Sequence, residues 1–201
     1  MSEATNPAPL RILAVGGSLR VESGSTRACR IALDAAAARG AEVRFFDLRT
    51  AGLPLYSPDA GPDERVQAAA AAVVWADAYL LASPDYHGSM SGAMKNFLDY
   101  HWEEFAGKLF GYICASHEKG LTAMDHMRTS VRQCYGWSLP YGVSVYREQD
   151  FDTVGEPTPK LRARLDMLGR DIVVYGRLLR VQFLQDAGGK AADSFAARYK
   201  V

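Results

Sequence analysis

Short apolar runs alternate with longer segments of helical periodicity along most of the chain, and this alternation constrains the fold more than any other feature. The apolar runs predict strands at residues 10–15, 42–48, 78–83, 108–116 and 139–145. The periodic segments predict helices at residues 26–39, 64–75, 89–100, 121–135 and 158–180. Strands that alternate with helices form parallel sheets with helices on both faces. The sequence therefore predicts a three-layer, doubly wound α/β fold with a parallel five-stranded sheet.

The length and charge of the chain limit the classes of protein to which it can belong. A single domain is expected over residues 1–201, with a flexible start at 1–9 and a tail at 188–201 for which no element is predicted. Basic and acidic residues number 23 each, so the basic excess typical of nucleic-acid-binding proteins is missing. The first residues lack the pattern of a signal peptide, and the alanine-rich stretch before Trp75 is interrupted by Asp77. We therefore expect a cytoplasmic protein with neither nucleic-acid nor membrane partners.

The residue types that bind metals or form disulfides show no functional spacing. Cys29, Cys114 and Cys134 lie far apart and contain no CxxC pair, so we interpret them as buried free thiols. The four histidines also lack the spacing of metal ligands. The sequence predicts no metal site.

The segment after the first predicted strand, residues 16–27, reads GGSLRVESGSTR. Its glycines let backbone amides converge, the following helix adds its positive end, and hydroxyl and guanidinium groups supply further donors. These features favour a terminal phosphate; the alternative is an ordinary strand-to-helix turn in which Ser25 or Thr26 caps the helix. The GxGxxG pattern of dinucleotide-binding loops is missing, and Asp47 is more simply the polar end of the second strand.

The segment after the third predicted strand, residues 83–100, reads SPDYHGSMSGAMKNFLDY. A proline stiffens the turn, a tyrosine and a histidine supply flat side chains, and Gly88 permits close backbone approach. A rigid turn with exposed amides and aromatic rings suits a planar heterocycle. The alternative is a helix cap formed by Ser89 or Ser91, with Tyr86 as a packing residue.

These two segments, in this order and at this separation, resemble the NAD(P)H-dependent FMN reductase family of flavodoxin-like proteins. That family includes quinone, azo-dye and chromate reductases and the arsenical-resistance flavoproteins, and the similarity spans about residues 10–145. The resemblance implies a flavodoxin-like sheet of strand order 2-1-3-4-5, non-covalently bound FMN and a reductant that is NADPH or NADH. It also implies a homodimer or homotetramer.

The resemblance further implies a set of cofactor-binding residues in three loops. In the phosphate loop these are Ser18, Arg20, Ser25, Thr26 and Arg27. Beside the flavin ring they are Pro84, Asp85, Tyr86, His87, Gly88 and Ser89. The third loop, which begins ASHEKG after the fourth predicted strand, contributes Ser116, His117 and Gly120.

The loops depart from the family pattern at several positions. The family often has Asn, Glu and Asn where this chain has Thr26, Asp85 and His87, and its third loop is commonly glycine-rich. Thr26 retains a donor for a phosphate, so phosphate binding is still expected. Lys119 adds a charge near the expected substrate face; it suits a phosphate or carboxylate, or it is a solvated loop residue.

The resemblance implies an oxidoreductase that passes hydride from NAD(P)H through bound FMN to a small-molecule electron acceptor by a ping-pong mechanism. Quinones, flavins, azo compounds and metal oxyanions all suit an open flavin face. No side chain is required for the chemistry itself, and His87 is the one candidate for a proton or hydrogen bond to the acceptor. Two alternatives remain: an FMN-binding electron-transfer or redox-sensing module without NAD(P)H turnover, and a phosphate-binding regulator without flavin. The formal net charge of +0 does not support the acidic surface usual for electron-transfer modules.

Overall fold

A computed structural model of the protein describes residues 8–190 and 193–199. The sheet contains β1 (Arg11–Gly16), β2 (Glu42–Asp47), β3 (Ala78–Tyr86), β4 (Ser89–Met90), β5 (Leu109–Ala115), β6 (Trp137–Ser138) and β7 (Val143–Val145). The parallel strands lie in the order β2-β1-β3-β5, both β6 and β7 pair in parallel with β5, and β4 pairs antiparallel with β3. The predicted order 2-1-3-4-5 is confirmed, because β5 is the fourth predicted strand and β6 with β7 takes the place of the fifth.

The helices agree with the predicted alternation. They are α1 (Gly24–Ala37), α2 (Leu48–Ala51), α3 (Glu64–Trp75), α4 (Gly92–Asp99), α5 (Leu121–Gln133), α6 (Arg147–Asp150), α7 (Pro159–Gln185) and α8 (Phe195–Arg198). A 3-10 turn covers Glu103–Phe105 and a π-helical turn covers Asp186–Lys190. The predicted flexible start falls mainly on residues 1–7, which lie outside the described residues, as do parts of the tail. None of the described helices is long and apolar enough to cross a membrane.

Two apolar clusters pack on opposite faces of the sheet. Helices α1 and α7 cover one face through residues such as Leu165, whereas α3, α4 and α5 cover the other through residues such as Val73 and Phe97. Successive residues of β1 belong to different clusters, with Ile12 in the first and Leu13 in the second, because side chains of a strand alternate between faces. This three-layer packing fixes the strand ends from which the predicted binding loops start.

The predicted bounds of the fifth strand, residues 139–145, are wrong. The amide of Leu139 still donates to the carbonyl of Phe110 at 2.9 Å, but regular pairing is interrupted at Pro140 and resumes at β7. Proline has no amide hydrogen to donate to a neighbouring strand and so interrupts a sheet. The fifth strand is consequently two short pieces, of which β7 leads to the loop at the functional edge.

The start at Ser89 that was predicted for the third helix is also wrong. Ser89 belongs to β4, and α4 begins at Gly92 with Ser91 as its N-cap. The Oγ of Ser91 accepts the amide of Met94 at 3.1 Å, which satisfies a first-turn donor that has no partner inside the helix. The second strand of a hairpin therefore occupies residues 89–90, the first two residues of the predicted helix.

Candidate functional site

The carboxyl ends of β1, β3 and β5 lie side by side, so the three predicted binding loops meet at one edge of the sheet. The first loop is fixed to the third strand at its start, where the amide of Gly17 donates to the carbonyl of Ala82 at 2.7 Å. A Cβ at Gly17 would lie 2.9 Å from that same oxygen and 3.0 Å from Cε of Met94. This close approach requires glycine and explains the second glycine of the GGS sequence.

Helix α1 starts at the end of the first loop, two residues before the predicted start. Its N-cap is Ser23 and neither Ser25 nor Thr26: the Ser23 Oγ accepts the amide of Thr26 at 3.3 Å and lies 3.0 Å from the Ser25 Oγ. Ser25 is fully buried. The amides of a first helical turn have no acceptor within the helix and form its positive end. The start of α1 therefore offers the donors that an anion needs.

The two arginines of the first loop have different surroundings. Arg20 is exposed, its amide donates to the Oγ of Ser18 at 3.2 Å, and both residues line the same cavity. Arg27 instead pairs with Glu22 at 3.0 Å, and its guanidinium lies 5.5 Å from the centre of the Phe151 ring. Arg20 is therefore the arginine available to a ligand.

The second loop is a β-hairpin formed by β3 and β4. Its two turn residues, His87 and Gly88, have φ angles of 55° and 76°. Positive φ at both central residues is characteristic of a type I′ turn, in which Asn-Gly is the favoured pair. His87 is thus a non-glycine residue in the left-handed region, where a Cβ is unfavourable. The turn requires a positive φ at position 88, and this requirement explains why a glycine follows His87. No contact of the histidine ring is needed to explain it.

Side-chain hydrogen bonds connect the three loops. Asp85 accepts the amide of Gly88 through Oδ1 at 2.8 Å and the hydroxyl of Ser116 through Oδ2 at 3.1 Å. The hydroxyl of Ser91 donates to the carbonyl of Gly17 at 2.6 Å. The first loop is therefore linked to the hairpin, and the hairpin to the third loop, as a preorganised binding site requires.

Two cavities open where these loops meet. The main cavity, of about 360 Å³, is lined by these predicted residues: Ser18, Arg20, Pro84, Asp85, Tyr86, Ser116 and His117. The side cavity, of about 740 Å³, is lined by Gly88, Gly120 and residues around them, and shares Asp85, Ser116 and His117 with the main cavity. Both volumes fall in the range of about 300 to 1,000 Å³ usual for small-molecule sites. Predicted residues from each of the three loops thus line one or both of these adjoining cavities.

The remaining predicted residues line neither cavity, and they are Ser25, Thr26, Arg27, His87 and Ser89. Ser89 is close to a residue that the sequence analysis did not name, because its Oγ lies 2.9 Å from Nδ1 of His126 on α5. His87 is exposed on the hairpin turn. The roles of these five residues as direct cofactor ligands stay predictions.

The sequence analysis missed several residues of the main cavity. Glu22 and Ser23 line it from within the first loop, and Tyr146 and Glu148 line it from the segment after β7. The Tyr146 ring meets the His117 ring edge-on, with 5.9 Å between ring centres. Tyr146 directly follows the carboxyl end of a parallel strand, and that position was the available signal.

Gly120 ends the third loop above a buried thiol. A Cβ at Gly120, which has φ 61°, would lie 2.7 Å from Sγ of Cys114. Burial raises the pKa of the Cys114 thiol to about 12, and the Asp85 carboxylate adds to the rise. The prediction of buried free thiols is confirmed for Cys29 and Cys114, and Cys134 is half-buried. In the described part of the chain, no group of three or more His, Cys, Asp or Glu residues could hold a metal ion.

Comparison with known proteins decides the family. The sequence profile of the NADPH-dependent FMN reductases matches residues 10–150. The chain belongs to this family. The resemblance inferred from the two loop sequences is confirmed, and the family is described as NADPH-dependent FMN reductases. The matched region runs from β1 to the end of α6 and contains all three loops.

Curated relatives are similar over part of their length. The probable NADPH:quinone oxidoreductase 2 of Oryza sativa subsp. japonica is 37% identical over 106 residues, which cover 50% of this chain and 51% of that protein. The NADPH-dependent FMN reductase ArsH of Rhizobium meliloti is 32% identical over 159 residues, which cover 74% of this chain and 64% of that protein. This chain therefore spans about half to two thirds of the length of these relatives.

Solved structures share the fold at low sequence identity. The NAD(P)H:(acceptor) oxidoreductase FerB from Paracoccus denitrificans has a TM-score of 0.71 and 20% identity, with 84% of this chain and 97% of that chain covered. A flavodoxin from the domain Archaea has a TM-score of 0.59 and 14% identity, with 84% and 99% covered. Likeness at these identities shows the fold alone. The predicted flavodoxin-like fold class is confirmed.

Proposed function

We propose that the protein is an FMN-dependent reductase that transfers reducing equivalents from NADPH or NADH to a small-molecule acceptor of the quinone, flavin, azo or metal-oxyanion type. The observation that carries the proposal is the meeting of three loops at one cavity in a member of this family. The names of the relatives support the acceptor classes, since they include a probable quinone oxidoreductase and an NADPH azoreductase.

The donor set of the main cavity fits a flavin mononucleotide. The start of α1 and the guanidinium of Arg20 supply amides and positive charge for a phosphate. Pro84, Tyr86 and His117 supply flat walls for a planar ring. An anion site and flat walls in one cavity are what a ligand with a phosphate at one end and a heterocycle at the other requires.

Each loop has a separate task in this proposal. Ser18 and Arg20 hold the phosphate, and the hairpin beside Tyr86 supplies backbone amides for the polar edge of the ring. Asp85 keeps the hairpin and the third loop at a fixed separation through its two hydrogen bonds. Bound FMN would supply the two-electron redox chemistry between the nicotinamide cofactor and the acceptor. A proton or hydrogen bond from His87 to the acceptor would require an acceptor that extends from the side cavity to the exposed hairpin turn.

The side cavity is the proposed binding place of NAD(P)H and, after its release, of the acceptor. It adjoins the main cavity through Asp85, Ser116 and His117, and Lys119 lies on its rim. If NAD(P)H and the acceptor bind in turn to the side cavity, the enzyme is expected to show ping-pong kinetics. Lys119 would then attract the phosphates of the nicotinamide cofactor.

We extend the proposal to a single flavin-binding domain that acts in the cytoplasm as a homodimer or homotetramer. These features follow from the family resemblance and the sequence. Light scattering of the purified protein checks the oligomeric state, and cell fractionation checks the location.

The test of the proposed function begins with a visible spectrum of the purified protein after addition of FMN and desalting. Retained flavin absorbance is expected, and a colourless protein that ignores added FMN would support the flavin-free regulator instead. Steady-state oxidation of NADPH with menadione, measured against the same concentration of free FMN, then separates the enzyme from an electron-transfer module. A flavin-loaded protein without turnover above that control would refute the reductase proposal.

A further inference from the structure

The segment after β7 forms one wall of the main cavity. Tyr146 and Glu148 line the cavity from this segment, and Tyr146 contacts His117 of the third loop. The segment leaves the sheet at Val145 and continues to the start of α7 at Pro159. The position of this wall therefore depends on contacts that hold the segment from outside the sheet.

The later part of the segment, which we call the Phe151 loop (residues 150–158), is a compact unit. Phe151 and Pro157 form an antiparallel bridge within it. Asp150, at its start, accepts the amide of Tyr146 through Oδ2 at 2.7 Å. The Phe151 loop is therefore linked directly to the cavity wall, so a displacement of the loop is transmitted to Tyr146.

Arg27 of α1 reaches this loop and fills the space beside it. Its guanidinium lies 5.5 Å from the centre of the Phe151 ring, a distance at which a cation is attracted to an aromatic face. A Cβ on Gly155 would lie 1.9 Å from Nη1 of Arg27, and Gly155 has φ 89°, so both space and backbone favour glycine there. The other terminal nitrogen, Nη2, pairs with Glu22 at 3.0 Å.

We propose that Arg27 is a positioning residue that clasps the Phe151 loop to the start of α1 and so holds Tyr146 and Glu148 in the cavity wall. This inference rests on the proposed function, because it takes the ligand of the cavity to be a flavin. It replaces the phosphate contact that the family resemblance implied for Arg27. Arg27 is engaged by Glu22 and Phe151 and lines the hollow between them, whereas Arg20 lines the main cavity.

The binding test compares FMN with riboflavin, which lacks the phosphate. Dissociation constants of both flavins are measured for the full chain and for Arg27→Ala, Phe151→Ala and the double variant. The matched control is Arg30→Ala, because Arg30 lies one turn further along α1 and stacks on a different ring, Phe45, at 3.8 Å. Each single variant is expected to weaken riboflavin binding by about three- to fivefold and FMN binding by at least as much. The double variant is expected to bind no more weakly than the single ones, and the control is expected to bind like the wild type.

Two binding outcomes would overturn the clasp. If Arg27→Ala weakens FMN more than about tenfold and leaves riboflavin unchanged, Arg27 is a phosphate ligand, since a lost charge-assisted hydrogen bond has that scale. If Arg27→Ala changes neither dissociation constant, the contact with Phe151 positions nothing in the cavity.

Amide hydrogen exchange on the flavin-free protein separates this inference from the proposed function. Residues 146–157 are expected to exchange faster in Arg27→Ala and Phe151→Ala than in the wild type or Arg30→Ala. Unchanged exchange in that segment would refute the clasp even if flavin binds. A wild-type protein that binds neither flavin would instead refute the proposed function, and the exchange result would still decide whether Arg27 holds the segment.

Discussion

Replacing His101 by phenylalanine is predicted to remove a defined part of the acid sensitivity of the fold. Only 4% of His101 is exposed, and its ring packs against Phe97 and Phe105 with centroid distances of 4.9 and 5.6 Å. Neither ring nitrogen has a hydrogen-bond partner among the described residues. Burial lowers the pKa of His101 from 6.5 to about 4; the Glu104 carboxylate opposes this change and Lys108 adds to it.

The sign and size of the effect follow from proton linkage. Below pH 6.5 the unfolded chain binds a proton at His101 that the folded protein does not bind until the pH nears 4. The free energy of unfolding therefore decreases as the pH falls through this window, by about 1.4 kcal/mol for each pH unit at full slope. Between pH 7 and pH 5 the contribution of His101 amounts to about 2 kcal/mol. A phenylalanine side chain has no group that binds a proton, and its ring fits the aromatic surroundings of position 101.

The assay is urea unfolding of the wild type and His101→Phe at pH 7, 6 and 5. The difference in unfolding free energy between the two proteins is expected to grow by about 2 kcal/mol from pH 7 to pH 5, in favour of the variant. Phe105→Leu is the matched control, because it disturbs the same cluster and keeps the histidine; its pH dependence should parallel that of the wild type. If the unfolding free energies of the wild type and His101→Phe change equally with pH, the buried His101 ring is not held neutral.

Two further predictions concern the cofactor loops. Arg20→Ala is expected to weaken FMN binding by about ten- to a hundredfold and to leave riboflavin binding unchanged, because Arg20 is the exposed cation of the main cavity; equal losses for the two flavins, measured by fluorescence titration, would contradict this. His87→Asn is expected to raise the free energy of unfolding by up to about 1 kcal/mol, because asparagine tolerates the left-handed turn position better; a destabilised variant in thermal unfolding would show that the histidine ring has a role that the hairpin geometry does not explain.

The fold was predictable because its signals are local and repeated. The runs that became β1, β3 and β5 are apolar over most of their strand length, β2 contains the apolar residues Val43, Phe45 and Phe46, and each strand precedes a segment with helical spacing. The errors arose where one residue changes the backbone. Pro140 splits the fifth strand because it lacks an amide, and the hairpin pairs residues 89–90 with β3 where the apolar spacing predicted the start of a helix. Apolar periodicity contains no information about such turns.

The candidate site was predictable in its loops and less so in its individual side chains. Sequence motifs identified the loop of Ser18 and Arg20, which line the main cavity, because this loop follows the end of a parallel strand. They do not reveal that Ser25 is buried or that Tyr146 completes the wall. The burial of Ser25 depends on where α1 begins. The position of Tyr146 depends on how a segment more than a hundred residues further along the chain folds against the first loop. Contacts of that kind are set by tertiary packing and leave no periodic signal.

The charges of the main cavity show why the two arginines need different positions. Glu22, Asp85 and Glu148 line the cavity together with Arg20, and three carboxylates beside one guanidinium oppose the binding of a phosphate. Glu22 is paired with Arg27, and Asp85 uses both oxygens in hydrogen bonds between loops. Glu148 is then the carboxylate whose distance from a bound phosphate matters most, and it lies on the segment that the clasp holds. Loosening that segment would therefore alter flavin affinity through electrostatics as well as through packing.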